Sequence, residues 1–292
     1  MPQATLFPEF KTDNIVNVAS VPMRSPFRYP GGKTWLIPRL REWLWSRSPK
    51  PAILIEPFAG GGIVGLTAAF EKLSDTVIMV EIDDQVAAVW KAILGDEAEW
   101  LANRILNFNL TPESFQNELA RENLSCREEA FRTILRNRVN HGGILAPGSG
   151  IIKNGENGKG IQSRWYPETL RKRILDIDYI KDKVQFIHGD GLDVMRAHQH
   201  LEDIVFFIDP PYTAAGKKAG RRLYSCNELD HEELFSLAEN IKGDFLMTYD
   251  NAQGVLDLAH QHQFDTEVIS MKNTHHTKMT ELLIGRDLSW LR

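Results

Sequence analysis

The sequence has no apolar run approaching the roughly 20 residues that a membrane-crossing helix requires. Its opening, MPQATLFPEFKTDN, has no basic region followed by an apolar block and does not read as a signal peptide. Two cysteines, Cys126 and Cys226, are too few and too distant for a disulfide framework or a zinc pattern. They read as free thiols in a reducing cytoplasm. Repeats and low-complexity tracts are missing, as is any positive excess. A net charge of −5 weighs against bulk attraction to nucleic acid. It leaves room for a local basic face, because phosphate contacts act within a Debye length of about 8 Å. What is present is 292 residues, 42% hydrophobic and 25% charged, enough for one large domain or a domain with an insertion.

Residues 1–22 are mixed and aperiodic and are expected to form an arm. PFRYPGGK (Pro26 to Lys33) then leads into an amphipathic helix with Leu36, Leu40, Trp43 and Leu44 on one face and Pro38 in its first turn. A strand at 52–56, a glycine loop, a helix at 63–72 and a strand at 76–80 ending in Glu81 open a parallel α/β sheet. Further strands are expected at 184–188, 203–208, 245–249, 267–270 and 281–284. Residues 96–182 break the alternation. Helical patterns at 98–106, 112–123 and 128–138 precede the glycine-rich HGGILAPGSGIIKNGENGKG, read as a mobile loop. The expected organisation is a catalytic domain of residues 23–95 and 183–292, with 96–182 as a mainly helical insertion.

Three segments carry chemistry. Gly60-Gly61-Gly62-Ile63-Val64-Gly65 follows a strand and opens a helix, so a ligand can approach bare backbone backed by helix amides. Glu81, sixteen residues beyond Gly65 at the next strand tip, is placed to accept ribose hydroxyls. Together they indicate an adenosine-containing cofactor. Asp209-Pro210-Pro211-Tyr212 follows the strand IVFFI. Its prolines hold the aspartate stiffly at a strand end and keep carbonyls available as acceptors. An acceptor carboxylate, a fixed carbonyl and an aromatic ring suit an amino group on a planar base. Tyr29-Pro30-Gly31-Gly32-Lys33 would pass for an ordinary turn if it stood alone.

In this order, PFRYPGGK, EPFAGGGIVGL and FFIDPPY resemble the amino-terminal cofactor motif, glycine loop and catalytic motif of adenine-specific DNA methyltransferases of the DNA adenine methylase class. RWYPETLRKRI (Arg164 to Ile174) also resembles a segment of that family, and the likeness runs from about Ser25 to Arg286. It implies a doubly wound, seven-stranded, mostly parallel sheet with helices on both faces, an S-adenosylmethionine cofactor, and an inserted target-recognition domain at 96–182. By resemblance, Tyr29, Lys33, Glu81 and Asp209 bind the cofactor, with Phe58, Gly60 and Gly62 of the loop. Glu81 stands where many members have aspartate. Asp190, in HGD, reads either as a contact to the cofactor's adenine or as a helix cap.

The implied reaction transfers a methyl group to the exocyclic amine of adenine in a flipped-out base, in line and without a covalent enzyme intermediate. Asp209 and the Pro210 carbonyl would hold the amine, with Pro211 stiffening the turn and Tyr212 stacking on the base. Lys217, Lys218, Arg221 and Arg222, together with Arg132, Arg136 and Arg164, are candidates for DNA phosphates. His188 reads as structural, and His275 and His276 have no accompanying metal pattern. A nicotinamide-linked dehydrogenase would explain the glycines and Glu81 but not DPPY. Methylation of RNA or of a glutamine amide uses related geometry, though those relatives more often carry asparagine at the Asp209 position. A catalytically dead DNA-binding module is the non-enzymatic alternative. The expected setting is the cytoplasm of a prokaryotic or phage-infected cell, as a monomer, with a restriction endonuclease as a conceivable partner.

Overall fold

In the computed structural model, which describes residues 21–28, 31–211, 229–272 and 278–292, every expected strand pairs into one sheet. The strands are β1 (Ile53–Glu56), β2 (Thr76–Glu81), β3 (Val184–His188), β4 (Ile204–Ile208), β5 (Asp244–Asp250), β6 (Asp265–Lys272) and β7 (Lys278–Gly285). Their spatial order is β3-β2-β1-β4-β5-β7-β6. The first five run parallel, and β7 lies antiparallel between β5 and β6. Parallel strands are covered on both faces, which is why IVFFI and VIMV read as continuous apolar runs rather than alternating ones. Both β6 and β7 extend two or more residues past the expected bounds, because the antiparallel ladder pairs polar as well as apolar residues.

On one face lie α1 (Ile37–Trp45), α2 (Ile63–Glu71) and α3 (Asp84–Leu94). Leu40, Trp43, Val64, Leu66, Val89 and Trp90 pack there against Leu54, Val77, Met79, Val205 and Phe207. The opposite face carries α8 (Gly191–His198), α9 (His231–Asn240) and α10 (Gln253–Gln261). Met195, Leu234, Phe235 and Ala259 meet Ile55, Ile78, Phe206, Met247 and Ile284. Strand residues thus alternate between the two cores, as the period-two geometry requires.

Residues 96–182 leave the sheet after α3 and return at β3. They form α4 (Ala98–Leu106), α5 (Pro112–Leu119), α6 (Cys126–Val139) and α7 (Pro167–Tyr179). The α5 helix stops four residues short of the expected end, and Asn123 beyond it takes φ 55°. The α6 helix starts earlier than expected, because Ser125 and Glu128 form a capping box. RWYPETLRKRI proves to be the entry to α7, with Pro167 at its start. Leu101, Ile105, Phe131, Ile134, Leu170 and Ile174 join the same core as α1–α3, so the insertion is built onto the α3 side of the sheet. The glycine-rich segment is tied back by an antiparallel bridge between Asn140 and Ile151, with His141 N donating to Gly150 O at 2.8 Å. Its backbone is also bonded to the end of α6, Ile152 N donating to Val139 O at 2.9 Å.

Candidate active site

The strand order reverses between β1 and β4, the place where an open α/β sheet leaves a crevice at its carboxyl ends. A cavity of about 660 Å³ opens there. Four strand ends supply acids to it: Glu56 from β1, Glu81 from β2, Asp190 after β3 and Asp209 after β4. Lys33, Phe58, Gly60, Gly62, Pro210 and Pro211 line the same space. Nine of the residues singled out from the sequence therefore meet in one cavity. Tyr29, Tyr212, Lys217, Lys218, Arg221 and Arg222 lie outside the described residues, as do Cys226, His275 and His276.

The glycine loop is fixed from behind. Gly60 N donates to Glu81 Oε2 at 2.9 Å, and Gly60 O accepts from Trp90 Nε1 at 2.9 Å. Gly62 has φ +63°, which strains any other residue, and a Cβ there would lie 2.9 Å from the Trp90 ring. Glu81 Oε1 also accepts from Asp83 N at 2.9 Å. Both of its oxygens are engaged by backbone, and each keeps lone-pair capacity for a ligand hydroxyl. Ile82, 47% exposed, presents an apolar face beside it.

Burial raises Glu81 to about 7, partly offset by the amides of Asp83 and Gly60. Burial also raises Glu56 to about 8, against the pull of the Gly65 amide, which donates to Oε2 at 2.8 Å. A cation entering the cavity would favour the ionised form of both. The Asp190 side chain caps α8 by accepting from Leu192 N at 2.8 Å, and the residue also lines the cavity.

Asp209 Oδ1 is 3.0 Å from Lys33 Nζ and accepts from Thr248 Oγ1 at 2.8 Å. Lys33 is 2% exposed, donates to Gly31 O at 3.0 Å and lies 3.5 Å from Glu281 Oε2. Burial works against its charge, but Asp209 and Glu281 outweigh it and hold the ammonium above its ordinary range. Sequence reading missed Thr248, Glu281 and Glu56. Glu56 carries a signal, since it directly precedes the glycine loop. Thr248 and Glu281 reach the site only through strand pairing and leave no local trace.

The insertion meets the cavity through Gly142, Gly143 and Leu145. Asn137 on α6 clamps the amino-terminal segment: its Oδ1 accepts from Arg28 N at 2.8 Å, and Nδ2 donates to Arg28 O at 3.0 Å and Gly143 O at 2.7 Å. Arg138 donates to Pro26 O, and Arg173 to Ser25 O at 3.0 Å. Arg136 is turned inward onto Gln85 and Leu145 O, and Arg132 onto Glu129 and Arg121 O. Those contacts make Arg132 and Arg136 internal struts rather than open phosphate ligands. Arg164 is half-buried at the end of a 3-10 turn. His188 contacts Lys91 and Asp84 at the surface. Among the described residues no cluster of histidine, cysteine or acids could hold a metal ion, and no helix is long and apolar enough to cross a membrane.

A doubly wound sheet with a glycine loop, a strand-tip acid and an acid-rimmed cavity at its switch point defines an enzyme that binds an adenosine-containing cation. The size falls in the range of small-molecule sites, and a lining of seven acids against Lys33 and Arg28 suits a positively charged cofactor. The chain belongs to the D12 class N6 adenine-specific DNA methyltransferases, whose family model matches residues 29–276. It is an adenine-specific DNA methyltransferase, and its cofactor is S-adenosylmethionine. The dehydrogenase alternative falls with that assignment. Among solved structures, the chain is similar to the rRNA methyltransferase aviRa from Streptomyces viridochromogenes, at 14% identity and TM-score 0.40, covering 88% of this chain and 86% of that one. It is also similar to a methyltransferase from Geobacter sulfurreducens, at 13% identity and TM-score 0.38, covering 89% and 80%. No curated protein matches the sequence.

Proposed function

We propose that the enzyme methylates adenine N6 in duplex DNA by flipping the target base into this cavity and transferring the methyl group directly. The observation that carries the reading is Asp209, fixed by Lys33 and Thr248 at the rim of the cavity that the glycine loop and Glu81 enclose. An adenine amine is a poor nucleophile because its lone pair is delocalised into the ring. Accepting its two protons at the Asp209 carboxylate and the Pro210 carbonyl would turn that lone pair out of the ring plane. When bound, S-adenosylmethionine supplies an electrophilic methyl group and keeps the electron pair of the broken carbon–sulfur bond on sulfur. Glu81 would hold its ribose, and the glycine loop its main body. Lys33 orients Asp209 rather than meeting the base. Positioning and charge complementarity supply most of the acceleration.

Tyr212 stacks on the extruded base in this reading, and Lys217, Lys218, Arg221, Arg222 and Arg164 meet phosphates. Residues 96–182 read the target sequence, with Gly142 and Gly143 bringing that reading to the cavity edge. The enzyme acts as a monomer in the cytoplasm, and a restriction endonuclease recognising the same site is a partner to look for. The test replaces the methylated adenine, once located by sequencing treated DNA, with 2-aminopurine. Binding should raise its fluorescence strongly as stacking is lost. Fluorescence unchanged in both wild type and Tyr212→Ala, in complexes that form at full affinity, would contradict flipping.

A further inference from the structure

Glu281 is a buried acid to which the proposed mechanism gives no task. It is 5% exposed and sits on β7, opposite Asp250 of β5 and Ile269 of β6. Its Oε2 lies 3.5 Å from Lys33 Nζ, the ion pair it makes among the described residues. It does not line the cavity, whereas Asp209, on the other side of the same ammonium at 3.0 Å, does. Lys33 thus bridges a carboxylate that faces the substrate and one sealed away from it. A lysine ammonium has three donors, enough for Asp209, Glu281 and the Gly31 carbonyl together. With all three groups ionised the cluster carries one net negative charge, which is room for one proton.

We propose that Glu281 stores the proton that adenine N6 loses on methylation, receiving it through Asp209 and Lys33. The inference rests on the reading that adenine N6 is the acceptor. Gaining a methyl group leaves N6 with one substituent too many and a positive charge. One N6–H bond then breaks, its electron pair returns to N6, and the proton passes to Asp209. Lys33 gives an N–H proton to Glu281 Oε2 and takes the Asp209 proton in its place. Asp209 ends as a carboxylate and Lys33 as an ammonium, as they began, and Glu281 ends as a carboxylic acid. The cluster becomes neutral as the positive charge carried by sulfur disappears, so charge balances without any further reactant.

The electrostatics favour this resting place. Burial first, with Asp209 and Asp250 adding to it and Lys33 opposing, pushes Glu281 up to about 7. Among the described residues, Lys33 from the amino-terminal segment, Asp209 after β4 and Asp250 on β5 are the charged groups that act on it, while β6 places Ile269 opposite. Glu281 is therefore ionised and ready to accept above neutrality, and already filled well below it.

Single-turnover methylation of duplex DNA by wild type, Glu281→Gln and Glu281→Asp tests the idea, with nucleosides of every reaction separated. At about pH 5.5 wild type carries the proton already, so its rate should be within about twofold of Glu281→Gln; by about pH 8.5 it should be about tenfold or more faster. Taking the ratio cancels the titration of Glu56 and Glu81, which both proteins share. Glu281→Asp should restore part of the pH-dependent gain, and it carries the test alone if the glutamine variant melts early. Without cofactor or DNA, infrared difference spectra across the same range should show a buried carboxylic acid band that Glu281→Gln lacks. A rate ratio constant across pH, or wild-type and Glu281→Gln difference spectra that superimpose throughout the carboxylic acid region where Glu56 and Glu81 also absorb, overturns the proposal. N6-methyladenine produced with a constant ratio sinks this inference alone, whereas its absence in wild type sinks the function it rests on.

Discussion

Glu56 and Glu81 close their strands and Glu281 lies midway along β7, and all three carboxyls are raised to between about 7 and about 8, chiefly by burial. On the helices of the insertion Arg138 is buried and Arg136 and Arg173 are half-buried, and desolvation holds each below its ordinary value. The two groups are satisfied differently. The arginines each give at least one donor to a backbone carbonyl (Leu145, Pro26 and Ser25 respectively) and so join the insertion's loop and the amino-terminal segment to its helices. The acids take few donors and face a cavity or a lysine, so their protonation can still change. A charge used for holding is tied to a backbone carbonyl, whereas one used for chemistry faces the cavity or its lysine.

The comparison breaks first at Asp209, which belongs to the responsive side. Asp209→Ala should lower the single-turnover rate at least about a hundredfold, the scale of losing a positioned polar group, with cofactor affinity measured alongside. A folded variant that keeps a near-wild-type rate would remove Asp209 from the reaction. On the holding side, Asn137→Ala deletes three hydrogen bonds and leaves buried backbone groups unpaired. It should cost about 1–3 kcal/mol of stability in denaturant unfolding. Cofactor affinity should fall as the segment around Arg28 loosens, while the rate of the fully bound complex stays close to wild type. A loss confined to the rate would make Asn137 part of the chemistry instead.

Glu81→Ala sharpens the cofactor half of the cleft. It should weaken cofactor binding by about 1–3 kcal/mol through lost hydroxyl acceptance and the orphaned amides of Gly60 and Asp83. Calorimetry giving unchanged affinity would defeat the ribose assignment. Glu56 gives the smallest effect, read as a pH dependence. Between its unfolded value of 4.5 and about 8, the native protein keeps a proton that the unfolded chain has released. Native proton binding exceeds unfolded binding in that window, so this contribution to stability falls as pH rises. The melting temperature of wild type minus that of Glu56→Gln should therefore decline from about pH 5 to about pH 8. A difference that grows with pH would show Glu56 held ionised.

Much of this was legible beforehand, for a physical reason. Strands buried on both faces write themselves as apolar runs, so IVFFI and VIMV located β4 and β2, and the stiff prolines after IVFFI marked Asp209. Gly62 of the loop was readable because its left-handed φ of +63°, tight against the Trp90 ring, favours glycine. Glu281 was not readable. It stands 72 residues beyond Asp209, and only the insertion of β7 between β5 and β6 brings it to Lys33. The roles of Arg132 and Arg136 were obscured for the converse reason. Spacing on a helix tells which residues share a face, but not that Gln85, Leu145, Glu129 and Arg121 wait there to accept their protons.

The central claim is that this cleft methylates adenine in DNA at the exocyclic amine. Incubating the protein with methyl-labelled cofactor and unmethylated genomic DNA, digesting to nucleosides and separating them tests it most directly. The account predicts label in N6-methyladenine, lost in Asp209→Ala, and none in parallel incubations with RNA. Label in another nucleoside, or label in RNA while DNA stays bare, would contradict it.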